Sequence, residues 1–226
     1  MRIECTGGGA AEILPALPPL GLTLVDDGAH LDCVLELSVN AESTESLDDL
    51  ESDLGLFAAE HLRDLVAVHA ALLARGDSAI LLPGSSMTGK STLAKTALDQ
   101  GFIVAGDEYA LIDPATGLAH SWPRPIHLRS ESGWQRVDGT VDVPPVRIAL
   151  VASLVFDDSV VRGLETVELT GGELVLNLLA HTICARTRPE DSLRAAAAIA
   201  QQARGIRGTR GEAGPALSEL AALAWG

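Results

Sequence analysis

Cysteine, lysine and long apolar runs are all scarce in this chain. Three cysteines occur in 226 residues, Cys5, Cys33 and Cys184, widely spaced and in no metal-ligand pattern. That odd, sparse count excludes a disulfide framework and fits a reducing compartment. No apolar run approaches the roughly 20 residues needed to span a bilayer. Met1-Arg2-Ile3-Glu4-Cys5 leads into glycines rather than an apolar segment, so no secretory signal is expected. A cytoplasmic protein is the expectation. Lysine occurs twice, at Lys90 and Lys95, against fourteen arginines, and the formal net charge is −15. A surface that acidic repels nucleic acid and anionic membranes, so neither is an expected partner.

One of the two lysines stands in the most informative stretch of the chain. Ala79 to Leu82 is a short apolar run broken at once by Pro83 and Gly84, which reads as a buried strand. Gly84-Ser85-Ser86-Met87-Thr88-Gly89-Lys90-Ser91 follows and matches G-x-x-x-x-G-K-[ST] at every fixed position. Such a loop turns successive backbone N–H groups inward around a phosphate and requires small residues at both ends. Lys90 is then placed to reach the β- and γ-phosphates, and the Ser91 hydroxyl to ligate Mg²⁺. Residues 84–92, Thr92 included, are the candidate nucleotide site. The next residues form a good helix that stops at Gly101, and its positive end faces the same phosphates.

After Gly101, residues 102–106 read as a second buried strand ending in Asp107-Glu108. Acids at the C-terminal end of a strand beside a phosphate loop are where a Mg²⁺ site and a catalytic base are placed. Upstream, residues 66–82 predict a β-hairpin running into the loop, with His69 as the one polar residue of an apolar strand. Both a hydrogen-bonded core histidine and a site histidine fit that position. Residues 120–129 carry two prolines and read as extended edge or loop. They also carry His127 and two arginines, Arg124 and Arg129, and the arginines fit either surface positions or phosphate charge stabilisation.

The rest of the chain is less specific. Residues 22–25 and 33–39 read as strands of a β-rich appendage. The acidic segment 40–53 reads as a solvated linker, and 54–65 has helical spacing. Residues 146–155 predict a buried strand, and Asp157-Asp158 reads as a turn rather than a metal pair. Helices are expected over about 170–184 and 190–203, then a mobile Gly/Arg-rich tail and a short helix near 217–225. The organisation expected is an appendage at 1–50, a phosphate-loop domain at 51–204 and a tail at 205–226.

Over residues 60 to 200 the chain resembles the kinase domain of HPr kinase/phosphorylase, whose nucleotide fold is related to that of ATP-dependent phosphoenolpyruvate carboxykinase. Four features carry the resemblance. His69 lies fifteen residues ahead of Gly84; the loop follows an apolar strand; Gly101 and the next strand lead to an acidic pair; and Ile126-His127-Leu128-Arg129 falls where the family has a Glu-Ile-Arg-like strand. The chain departs from the family at Met87, usually glycine, at Glu108, usually aspartate, and at His127, usually glutamate. It is most similar to shorter relatives, including those that phosphorylate a precursor serine in lasso peptide tailoring.

The resemblance implies an α/β phosphate-loop kinase fold with a small N-terminal β-rich appendage, using ATP and Mg²⁺. It implies Asp107 as general base, Glu108 and Ser91 at the metal, Arg129 steadying phosphate, and His69 facing the site. It also implies self-association. The acceptor is expected to be a Ser or Thr of a peptide or small protein. A small-molecule hydroxyl kinase and a nucleotide-gated binding protein with little catalysis are the alternatives.

Overall fold

The computed structural model describes residues 44–85, 88–130, 133–161 and 163–226. The strands expected at 22–25 and 33–39, with Ser86 and Met87 of the loop, lie outside the described residues. The chain divides into two units, 1–61 and 62–226, rather than at residue 50. In the first unit, Thr44–Glu60 is one helix, α1. The segment expected as an acidic linker is therefore largely helical. Leu50, Leu54 and Phe57 recur at intervals of four and three residues, and that periodicity runs straight through the carboxylates.

The second unit is a mixed sheet covered on both faces. Its strands are β1 (Val66–Arg75), β2 (Ser78–Pro83), β3 (Ile103–Gly106), β4 (Tyr109–Ile112), β5 (Ala119–His120), β8 (Arg147–Phe156), β9 (Leu164–Glu168) and β10 (Arg204–Arg210). The lateral order is β5-β4-β1-β2-β8-β10-β9, with β3 also paired to β1. β2, β8 and β10 run parallel to one another, and the remaining pairings are antiparallel. β6 (Ile126–Ser130) and β7 (Gly133–Val137) form a separate hairpin.

Strands buried on both faces read as continuous apolar runs, and β1 and β2 do so. Successive side chains alternate between faces. Val68, Ala70, Leu72 and Leu81 pack with Leu174, Leu178, Ala195 and Ile199 on one side. Ala71, Leu73, Ile80 and Leu82 pack with Leu93, Ala97, Leu217 and Leu220 on the other. The first layer is α3 (Gly171–Ala180) and α4 (Pro189–Ala200); the second is α2 (Lys90–Asp99) and α5 (Ala213–Trp225). Local chemistry starts α3 and α4 where the sequence suggests. Thr170 and Glu173 form a reciprocal capping box on α3, and Pro189 occupies the first turn of α4.

The C-terminal part corrects an expectation. Residues 205–215, read as a mobile tail from their glycines and arginines, supply most of an interior strand and the start of a core helix, which continues through the expected 217–225. β10 lies between β8 and β9 in full register, and Ala216, Leu217 and Leu220 of α5 are completely buried. Trp225 is anchored as well: its indole N–H donates to Ser78 Oγ at 2.9 Å, and Arg75 stacks over its ring. No helix among the described residues is long and apolar enough to cross a membrane.

Candidate functional site

β1 organises the site. The Gly84 amide, at the start of the phosphate loop, donates to the His69 carbonyl at 3.3 Å. On the opposite edge of β1, the Ala70 amide donates to the Glu108 carbonyl at 3.0 Å, and His69 is paired with Tyr109. One strand thus fixes the loop and the acidic pair relative to each other. β2 ends at Pro83, and beyond it residues 181–183 take over the vacated edge of β1. The His69 amide donates to the His181 carbonyl at 2.8 Å, and the Ile183 amide to the Ala67 carbonyl at 2.9 Å.

Within the loop, Lys90 Nζ donates to the carbonyls of Gly84 (2.8 Å) and Ser85 (2.9 Å), and Thr88 Oγ1 donates to the Ser85 carbonyl at 2.9 Å. Gly89 has φ of +89°, a left-handed conformation in which a side chain is strained. It delivers the chain into α2 with Lys90, Ser91 and Thr92 in the first turn. Lys90 is buried, and its pKa is lowered by that burial and partly restored by Asp107.

The two acids stand in different surroundings. Asp107 is 7% exposed. Burial raises its pKa, while a hydrogen bond from Ser91 and the charges of Lys90 and Arg124 act in the opposite sense. Its Oδ1 atom is buried and has no hydrogen-bond partner. Glu108 instead forms an ion pair with the buried Arg124. The Trp122 amide donates to the Ala105 carbonyl, and its ring meets Tyr109 edge-on at 5.3 Å, which places Arg124 over the acidic turn.

His69 shares the sheet face that carries α2 and lies 6.0 Å from the Tyr109 ring, centroid to centroid. Its pKa is lowered to about 4 by burial, then by Lys90 and His181. The imidazole is therefore neutral at pH 7. His181 is lowered for the same two reasons, burial and Lys90.

The structure thus brings together His69, Gly84, Ser85, Gly89, Lys90, Ser91, Asp107 and Glu108. Arg129 lies on β6 opposite Trp134, and its side chain is outside the described set. Arg124, one of two arginines noted in its segment, forms the ion pair with Glu108 of the acidic pair. Sequence reasoning missed His181, which sits just past a helix with no motif around it. It also missed Arg210, buried behind the loop, whose Nη2 donates to the Gly89 carbonyl at 3.1 Å.

The donor set suits a hard cation. Ser91 offers a hydroxyl oxygen, Glu108 a carboxylate that is paired with Arg124 in the free protein, and Asp107 beside them a buried carboxylate oxygen without a partner. Among the described residues no cluster of three or more His, Cys, Asp or Glu could hold a metal. A Mg²⁺ ion here would draw most of its ligands from phosphate and water, as that ion commonly does at nucleotide sites.

No protein-family model matches the chain, and no curated protein matches it. Among solved structures, the HPr(Ser) kinase/phosphatase from Coxiella burnetii is similar over 63% of this chain and 85% of its own, at 17% identity and a TM-score of 0.38. That overlap is loose, and the site stands on its own geometry.

Proposed function

We propose that the chain is an ATP- and Mg²⁺-dependent phosphotransferase that moves the γ-phosphoryl group to a hydroxyl, that of a serine or threonine in a peptide or small protein. The observation that supports it is the convergence of Lys90, Ser91 and the unpartnered, buried Oδ1 of Asp107 at the mouth of a phosphate loop. Such an atom costs stability unless a ligand uses it.

In this reading the backbone of residues 84–89 and the first turn of α2 hold the β-phosphate, and Lys90 swings from the Gly84 and Ser85 carbonyls to the γ-phosphate. Ser91 and Glu108 would hold Mg²⁺, which would supply neutralisation of phosphate charge. The acceptor oxygen bonds to the γ-phosphorus as the bond to the β,γ-bridging oxygen breaks. Asp107 takes the hydroxyl proton, and ADP leaves. A carboxylate whose pKa is raised by burial is better matched to that proton. Neutral His69 accepts or donates a hydrogen bond without adding charge, and Arg124 and Arg129 balance the phosphate. Phosphoryl transfer asks mainly for positioning and charge neutralisation, and these residues offer both.

The acceptor class rests on the sequence resemblance and extends to precursor peptides of the lasso type. The reading includes a cytoplasmic setting and self-association. It is tested with γ-labelled ATP, Mg²⁺ and candidate peptides, including those encoded beside the gene. Label on a serine or threonine, lost in Asp107→Asn, supports it. Nucleotide binding with no transfer to any peptide would remove the peptide-kinase assignment.

A further inference from the structure

Arg210 is the last residue of β10 and is 2% exposed. Its Nη1 donates to the Gly211 carbonyl at 2.8 Å, and its Nη2 to the Gly89 carbonyl at 3.1 Å. The guanidinium lies over the Phe156 ring, 5.0 Å from the centroid. Nε is buried and makes no hydrogen bond. Among the described residues no carboxylate forms a salt bridge with it, and Glu212 is the acid that acts on it electrostatically.

This is a poor arrangement for stability alone. The Gly89 carbonyl already accepts the Leu93 amide at 3.2 Å, so α2 does not need a second donor there. A buried cation with an orphaned Nε costs more than an apolar side chain of similar volume. It also stands beside two other positive features, Lys90 and the N-terminal end of α2, whose dipole disfavours a nearby cation. Asp107 acts on Lys90 and Glu212 on Arg210, yet Arg210 has no direct ion pair.

We infer that Arg210 is a positioning residue for the phosphate loop, holding the Gly89 carbonyl from behind so that the Lys90 amide faces a bound polyphosphate. The peptide unit is planar and trans, so the carbonyl of Gly89 and the N–H of Lys90 point in opposite directions. Pulling the oxygen toward β10 turns the N–H into the loop. The fixed charge behind the loop adds to the field that the phosphates enter. A Cβ on Gly89 would lie 2.2 Å from Nη2, which adds to the strain that its φ of +89° already imposes on any side chain.

The inference rests on the nucleotide-binding reading, and the test separates the two. Binding of Mg²⁺-ADP is measured by calorimetry at two salt concentrations for the wild type, Arg210→Met, Arg210→Gln and Arg210→Lys, with melting of each free protein. Absence of ADP binding by the wild type would overturn the nucleotide reading and this inference with it. With binding established, Arg210→Met is expected to melt close to the wild type yet bind about tenfold more weakly, the scale of one charge-assisted hydrogen bond. Arg210→Lys is expected to recover part of the loss, and Arg210→Gln, a donor without charge, less. Weaker ADP affinity should also appear in KM for ATP more than in kcat. Unchanged affinity in every folded variant overturns the inference, even where melting falls. If Arg210→Met does not fold, Arg210→Lys and Arg210→Gln carry the same comparison.

Discussion

The backbone amide of His69 donates to the carbonyl of His181, and both imidazoles lie within the electrostatic reach of Lys90. Burial first, and Lys90 after it, lowers the pKa of two histidines from distant parts of the chain. The arrangement leaves Lys90 as the charged group facing an incoming anion.

Acid should destabilise the free protein through His69. Its folded pKa of about 4 lies below the ordinary 6.5, so the unfolded chain takes up the proton first. The contribution is intact above pH 6.5 and is lost as pH falls toward 4. His69→Gln should flatten the melting curve against pH across that window. An unchanged slope would place the histidine in solvent.

Lys90→Met should sharply weaken nucleotide binding while leaving the fold intact. Its ammonium is buried and its pKa is lowered by that burial, so an apolar replacement relieves a cost in the free protein. Loss of a charge-assisted contact to phosphate should weaken Mg²⁺-ATP binding about 100-fold. Calorimetry and circular dichroism on the same sample check both halves.

Asp107→Asn should raise the melting temperature and remove phosphoryl transfer. Burial raises the aspartate's folded pKa, so at neutral pH the ionised form works against folding, and that cost vanishes as pH falls below the ordinary carboxylate range. Relief of about 1 kcal/mol corresponds to roughly 3 °C for a chain of this size. Nucleotide affinity should survive. Melting at pH 7.5 and pH 4, with a transfer assay, gives the outcome.

Arg124→Met should move the acid limb of the kcat profile to higher pH. The guanidinium favours the charged form of Asp107, and its loss leaves burial to raise the pKa further. A pH–rate profile unchanged on that limb would show that Asp107 is not the titrating group.

Truncation after residue 203 should give an insoluble or molten chain rather than a trimmed but folded one. It removes β10, leaving β9 with no strand partner, and it uncovers the face of the sheet packed by α5. Loss of cooperative melting on expression of residues 1–203 is the expected result.

The phosphate loop, the β1–β2 hairpin and the acidic turn were legible because each is written in consecutive residues: Pro83-Gly84 to end a strand, Gly89-Lys90-Ser91 to start a helix, Asp107-Glu108 at a strand end. The interior strand β10 was not legible. Arg204-Gly205-Ile206-Arg207-Gly208-Thr209-Arg210 has one large apolar residue and two glycines, the pattern of a loop. Gly208 is there for close approach, since a Cβ would lie 2.1 Å from the Glu165 carbonyl oxygen. That requirement belongs to β9, which is distant in sequence. His181 and Arg210 were hidden for the same reason: their partners, at His69 and Gly89, are set by sheet order alone. The acidic segment at 44–53 was misread because charge was weighed above helical spacing.

The place of β10 has a consequence for birth on the ribosome. β8 and β9 are both synthesised before it, and β9 joins the sheet only through it. At about 5–20 residues per second, the 36 residues from Glu168 to Arg204 take roughly 2–7 seconds to appear. During that interval the nascent chain exposes an unfilled slot bounded by an apolar strand, and the loop at Gly89 waits for an arginine 121 residues downstream. Assembly of the candidate site is thus tied to completion of the sheet, and an interrupted translation product carries the sequence motif without its backing.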